Sequence, residues 1–201
     1  MVDIKMEMPE TLTNNLDILR SNEAYVEYAY LVERALQEEA PFWREEPSAG
    51  ETGEPTAYIE DENGERHYIE ARENPAAIAF GRMESLGDVK NIVVMGVGLG
   101  YTLEALNAEL EKGKDEYGQI IIIERYSTML ARALAQADLS TLLKRENTQL
   151  VLGYVPMGFG VDVDPERTAV IKNHILTRVD EEYYTVALAN LNRSAFRILP
   201  L

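Results

Sequence analysis

Gly96, Gly98 and Gly100, set at alternate positions directly after the apolar run Asn91-Ile-Val-Val-Met95, are the residues of this chain whose type and spacing point first to chemistry. Glycines in that arrangement let a chain turn sharply at the end of a strand and bring bare backbone close to a ligand. A helical pattern over Tyr101–Leu110 follows, with Leu103, Leu106 and Leu110 on one face, and its free N-terminal amides and dipole favour a phosphate or carboxylate. Val97, Tyr101 and Thr102 lie in the same turn and complete the candidate cofactor-binding set. Downstream, Gln119-Ile-Ile-Ile-Ile-Glu124 reads as a second buried strand ending in a carboxylate placed to face a ribose. Strand, turn, helix and strand together make a βαβ unit of the nucleotide-binding type, with a nucleotide-like ligand expected at the carboxyl ends of the two strands.

The spacing narrows the ligand. G-x-G-x-x-G would require glycine at Tyr101, so a nicotinamide dinucleotide is disfavoured. G-x-G-x-G is closer to the first motif of S-adenosylmethionine-dependent methyltransferases, which usually carry an acid two residues before the first glycine, where this chain has Val94. The bland alternative is that the glycines only make the turn.

Other candidates for chemistry have simpler structural readings. Asp162-Val-Asp164 matches a D-x-D that could share a divalent ion with a diphosphate, but it precedes Pro165-Glu-Arg and reads better as a polar turn. His67 and His174 are far apart in sequence and lack a paired acid or nucleophile at a recognisable spacing. Ser127 and Ser140 are read as helix caps, without the nucleophile-elbow context of a serine hydrolase. No metal set emerges, the catalytic residues stay unassigned, and the absence of cysteine excludes disulfides, thiolate nucleophiles and zinc–sulfur sites.

Composition bounds the partners. A formal net charge of −16 argues against an extended nucleic-acid surface, which needs a basic stripe to displace counterions. No run approaches the length of a membrane span. Met-Val-Asp-Ile-Lys-Met-Glu shows no basic segment leading into an apolar one, so a cytoplasmic location is expected.

The elements that must position the glycine turn follow from periodicity. A short helix is expected around Leu12–Leu19. A second over Asn22–Glu39 has Tyr25, Tyr28, Ala29, Val32, Ala35 and Leu36 on one face and a cap at Ser21 or Asn22. Arg44–Pro55 reads as a mobile loop, and Thr56–Glu60 and Arg66–Glu70 flank an Asn63-Gly64 turn in a two-stranded ribbon. Asn74 and Pro75 open a helix to about Met83. After Glu124 come helices over Thr128–Gln136 and Thr141–Arg145, a strand at Gln149–Leu152, a turn-rich stretch over Tyr154–Pro165, a strand over Thr168–Ile175, and a last helix over Glu181–Leu191 capped by Asp180. The expected fold class is α/β, a Rossmann-like parallel sheet with a helical extension and a β-hairpin. The expected division is 1–43 helical extension, 44–73 acidic loop and hairpin, 74–201 Rossmann-like domain.

Val94-Met-Gly-Val-Gly-Leu-Gly-Tyr-Thr-Leu-Glu-Ala-Leu106, then Ile-Ile-Ile-Ile-Glu124, Asp138-Leu-Ser-Thr-Leu-Leu143, Val170-Ile-Lys-Asn-His174 and Glu181-Glu-Tyr-Tyr184 form an ordered set of blocks. From about Asn15 to Asn192 the chain resembles the N-terminal domain of motility-associated factor (Maf) glycosyltransferases. The resemblance implies a part in attaching nonulosonic acids from a CMP-activated donor to Ser or Thr of flagellin. It also implies that the chemistry resides in a following domain of the 6-hydroxymethylpterin diphosphokinase-like fold, so that partners would be that domain and flagellin. Thr102 stands where the family commonly has His after Gly-Tyr. A small S-adenosylmethionine-dependent methyltransferase using Gly96, Gly98, Gly100 and Glu124 is the competing enzyme reading, and a non-catalytic scaffold with an empty glycine turn is the third.

Overall fold

A computed structural model describes residues 8–38, 42–113, 117–154 and 163–191 and the backbone of 197–199. The β-branched runs form strands where sequence periodicity puts them. β4 (Asn91–Met95) and β5 (Gln119–Glu124) are buried on both faces, which is why neither alternates apolar with polar residues. They pair in parallel, Val93 opposite Ile121, through the crossover helix α4 (Tyr101–Glu111). β6 (Thr148–Leu152) lies beyond β5. β7 (Thr168–Lys172) returns to the other side of β4, with β8 (Arg197–Leu199) outside it, so the parallel order is β6-β5-β4-β7-β8. The fold is thus α/β and Rossmann-like, as expected.

On one face of this sheet sit α3 (Pro75–Glu84), α4, α5 (Ser127–Gln136) and α6 (Ser140–Lys144), with α1 (Glu10–Ser21) and α2 (Val26–Ala35) packed onto α5. Leu16, Leu106, Leu130 and Ile122 share one buried cluster across these layers. The opposite face is covered by α8 (Glu181–Leu191), whose Tyr184, Ala187 and Leu191 meet Val93, Ile121 and Val170. No helix among the described residues is long and apolar enough to cross a membrane.

Several local expectations shift. The segment read as a mobile loop contains β1 (Arg44–Pro47), paired antiparallel with β2 (Pro55–Glu60), so the ribbon is a three-stranded sheet β1-β2-β3 closed by β3 (Arg66–Tyr68). Its acids are what hide it in sequence and what hold it in space: Glu45 binds Arg132 of α5 at 2.5 Å, and Glu46 accepts from Arg66 and Tyr68 at 2.8 and 2.7 Å. The Asn63-Gly64 turn forms, with Asp61 Oδ1 accepting from the amides of Asn63 and Glu65. The second helix starts at Val26, not at Asn22, because Ser21 ends α1 and donates back to Ile18. Ser127 and Ser140 are first helical residues, not caps; Asp138 Oδ1 accepts the Ser140 amide instead. The strand expected over Thr168–Ile175 stops at Lys172, since the Asn173 side chain accepts from Leu176 N and starts α7 (His174–Val179).

The helical extension is anchored by polar groups as well as by apolar ones. Asn15, fully buried, donates to Leu134 O and Ala137 O at 2.8 Å each and accepts from Leu139 N at 3.0 Å. The Tyr25 hydroxyl donates to Thr148 O and accepts from Leu150 N, closing part of the exposed edge of β6.

Candidate functional site

β4 is the first strand of the parallel sheet and has later strands on both sides, so the chain reverses direction of winding between β4 and β7. Open α/β sheets leave a crevice at such a point, beyond the carboxyl ends of the strands, because the two connections leave in opposite directions. A cavity of about 460 Å³ lies there. Its floor is Val94, Gly96 and Val97 from β4 and the turn with Ile171 from β7, and one wall is Pro75, Ile78 and Ala79 of α3. Polar and charged residues that reach it include Tyr68, Glu70, Arg82, Thr102, Lys172 and Asn173, with Arg72 and His174 beside them.

The glycine turn itself is held by two carboxylates of the chain. Glu124, fully buried at the end of β5, accepts from Val97 N on one oxygen and Tyr126 N on the other, both at 2.8 Å. Burial pushes its carboxyl up to about 7, against the backbone hydrogen bonds that favour the ionised form. Glu70, just past β3, accepts from Leu99 N at 2.8 Å. Burial pushes this carboxyl, too, up to about 7, opposed by the Leu99 amide and the charge of Arg82. Both acids therefore sit where incoming ligand oxygens would compete for turn amides.

Side-chain space explains two of the glycines. Gly98 has φ of 56°, and a Cβ there would run into the Glu70 carboxylate and approach Asn173 Nδ2 to 3.1 Å. Gly100, at φ of 98°, would place a Cβ 2.9 Å from Ala133 Cα of α5. These positions need glycine for close packing of the turn on its own protein, apart from any ligand.

Of the expected site residues, Gly96, Val97 and Thr102 line the cavity. Gly98 and Gly100 face protein, Tyr101 is buried with its hydroxyl donating to Pro55 O at 2.7 Å, and Glu124 lies under the turn. Glu124 is fully buried, so a ribose contact there would require the turn above it to move.

Sequence reasoning did not single out Glu70, Arg82, Lys172 or Asn173. The end of the Arg66–Glu70 strand and the Lys172-Asn173 step were visible only as strand residues, and nothing in their local pattern says that they converge. Asn173 makes the junction: it caps α7 through Oδ1 and donates from Nδ2 to Ile69 O at 2.8 Å, fixing the antiparallel sheet against the crevice. His174 is exposed at the crevice rim, whereas His67 lies in the ribbon 3.4 Å from Asp61. Asp164 accepts from Glu166 N and caps the short 3-10 turn Pro165–Arg167, matching a polar turn; Asp162 and most of the turn-rich stretch lie outside the described residues.

No protein-family model matches this chain, and no curated protein matches it. A solved structure does. The Maf glycosyltransferase from Magnetospirillum magneticum AMB-1 matches with a TM-score of 0.54 at 16% sequence identity, over 92% of this chain and 36% of that one. This chain therefore spans about a third of that protein's length, and what the two share is the fold.

Proposed function

We propose that this chain acts as the N-terminal Rossmann-like accessory domain of a Maf-type protein glycosyltransferase, or as a free-standing relative, without a catalytic centre of its own. The observation that carries this reading is the extent of the structural match: nearly the whole chain superposes on a minor part of a glycosyltransferase. The crevice supports it by its chemistry. Among the described lining residues Glu70 is the one carboxylate, and it is already bonded to a backbone amide. On this reading the partners are a catalytic domain of the 6-hydroxymethylpterin diphosphokinase-like fold and flagellin, with a CMP-activated nonulosonic acid as donor. The methyltransferase alternative needs Glu124 for the ribose hydroxyls, and that carboxylate is committed to Val97 and Tyr126.

The test is transfer by the chain alone. Incubated with a CMP-nonulosonate and flagellin, it should leave the intact mass of flagellin unchanged. A mass increase of one sugar would overturn the accessory role.

A further inference from the structure

The chain has 19 basic and 35 acidic residues, yet the crevice at the ends of β4 and β7 is lined by Arg72, Arg82 and Lys172 against the single acid Glu70. Six described arginines elsewhere pair with acids: Arg20 with Asp17 and Glu33, Arg34 with Glu38, Arg66 with Glu46, Arg125 with Asp180, Arg132 with Glu45, and Arg167 with Asp88. Among the described residues none of the three crevice cations has a carboxylate within ion-pair distance. Arg72 stacks over the Tyr68 ring at 5.0 Å, and Arg82 feels Glu70 only at longer range. A strongly acidic protein that gathers unpaired cations around one apolar-floored cavity creates a local field opposite to that of the whole molecule.

We propose that this crevice binds a small anionic ligand of sugar size, a sugar phosphate or a sugar carboxylate, with its anionic group held by Arg82 and Lys172 and its body against Val94, Ile171 and Ile78. Three features fit one another. The cavity volume, about 460 Å³, suits such a molecule and falls within the usual range for small-molecule sites. Ile78 is 47% exposed at the wall, a large apolar side chain that an occupant would cover. The turn amides of Val97 and Leu99 are engaged by Glu124 and Glu70, which leaves the side-chain cations as the charged groups open to the anion. Glu70 then opposes the anion by like charge and accepts from ligand hydroxyls with its remaining capacity. The site stands on the crevice alone and holds whether or not the chain serves glycosylation.

The experiment is amide chemical-shift mapping and calorimetry on the whole chain, with ribose 5-phosphate and glucuronate as probes and neutral ribose and glucose as controls, each at about 10 mM. The resonances of Gly96, Val97, Thr102 and Asn173 should move with at least one anion and stay still with the neutral sugars. Movement with ribose 5-phosphate alone assigns a phosphate ligand, and movement with glucuronate alone assigns a carboxylate. The Arg82→Gln, Lys172→Gln double variant should weaken binding about tenfold or more, whereas Arg178→Gln, outside the crevice, should not. At about pH 8.5, where the Glu70 carboxyl is ionised, Glu70→Gln should tighten anion binding severalfold, a readout that a misfolded variant could not produce. No shift with either anion, equal shifts with the neutral sugars, or unchanged affinity in a folded double variant would each overturn the proposal.

Discussion

The Glu70 carboxylate accepts the Leu99 amide at 2.8 Å, so an amide of the glycine turn that could greet a ligand is instead bonded to a side chain from a different sheet. This contact joins the antiparallel ribbon to the parallel sheet, and Gly98 is what permits it: any Cβ at that position would occupy the space of the Glu70 oxygen. The turn is thus a structural junction as well as the floor of a crevice.

Gly98→Ala should destabilise the chain by about 1–3 kcal/mol, combining left-handed backbone strain with displacement of Glu70. Adding Glu70→Ala should recover part of that loss, because the steric component then disappears while the strain remains. Urea denaturation of the two single variants and the double variant measures the coupling. Strict additivity would show that Glu70 and residue 98 do not interact.

Glu124 links stability to pH. Its carboxyl is raised in the folded state from 4.5 to about 7, so the folded form binds the proton more tightly than the unfolded form does. The corresponding stability is fully present below about pH 4.5 and is lost as pH rises through about 7, amounting to about 3 kcal/mol. Glu124→Gln should remove this part of the dependence and leave the part due to Glu70, whose carboxyl burial raises to the same range. Chemical denaturation at several values between about pH 5 and 8 decides it, and parallel curves for the two proteins would exclude Glu124 as the source.

Asn15→Leu should cost about 3 kcal/mol or more, since it orphans the buried carbonyls of Leu134 and Ala137 and the amide of Leu139. Hydrogen exchange should accelerate first at Leu139 and in α1. Unaltered protection there would mean that apolar packing alone anchors the extension.

S-adenosylmethionine at millimolar concentration should raise the melting temperature by less than about 1 °C, since negligible occupancy adds little to stability. The reason lies in Glu124, fully buried and bonded to an amide on each oxygen, and in Val94, which offers no carboxylate. A clear shift that vanishes in Glu124→Ala would promote the methyltransferase reading.

The parallel core was legible without coordinates because its signals are local. A buried parallel strand is a short β-branched run, a helix shows its face at three- and four-residue spacing, and Asn63-Gly64 or Asn74-Pro75 announces a turn or helix start within a few residues. The strand β1 was hidden because Arg-Glu-Glu-Pro has no strand pattern of its own; pairing with β2 and ion pairs to Arg66 and Arg132 override its propensity. The glycine turn could be located by sequence, but which of its amides remain free could not, because Glu70 and Glu124 reach it from 29 and 27 residues away. The same holds for the crevice. Strand order places it between β4 and β7 and not between β4 and β5, and that order depends on which edge β7 joins, a choice made by long-range packing that no local spacing records. By itself, then, the sequence determined the strands β4 to β7, the larger helices and the position of the turn, since each follows from short-range periodicity and backbone preference. Only the tertiary structure decided which carboxylates close the turn and which cations surround the cavity, because those groups meet through contacts between elements distant in the chain.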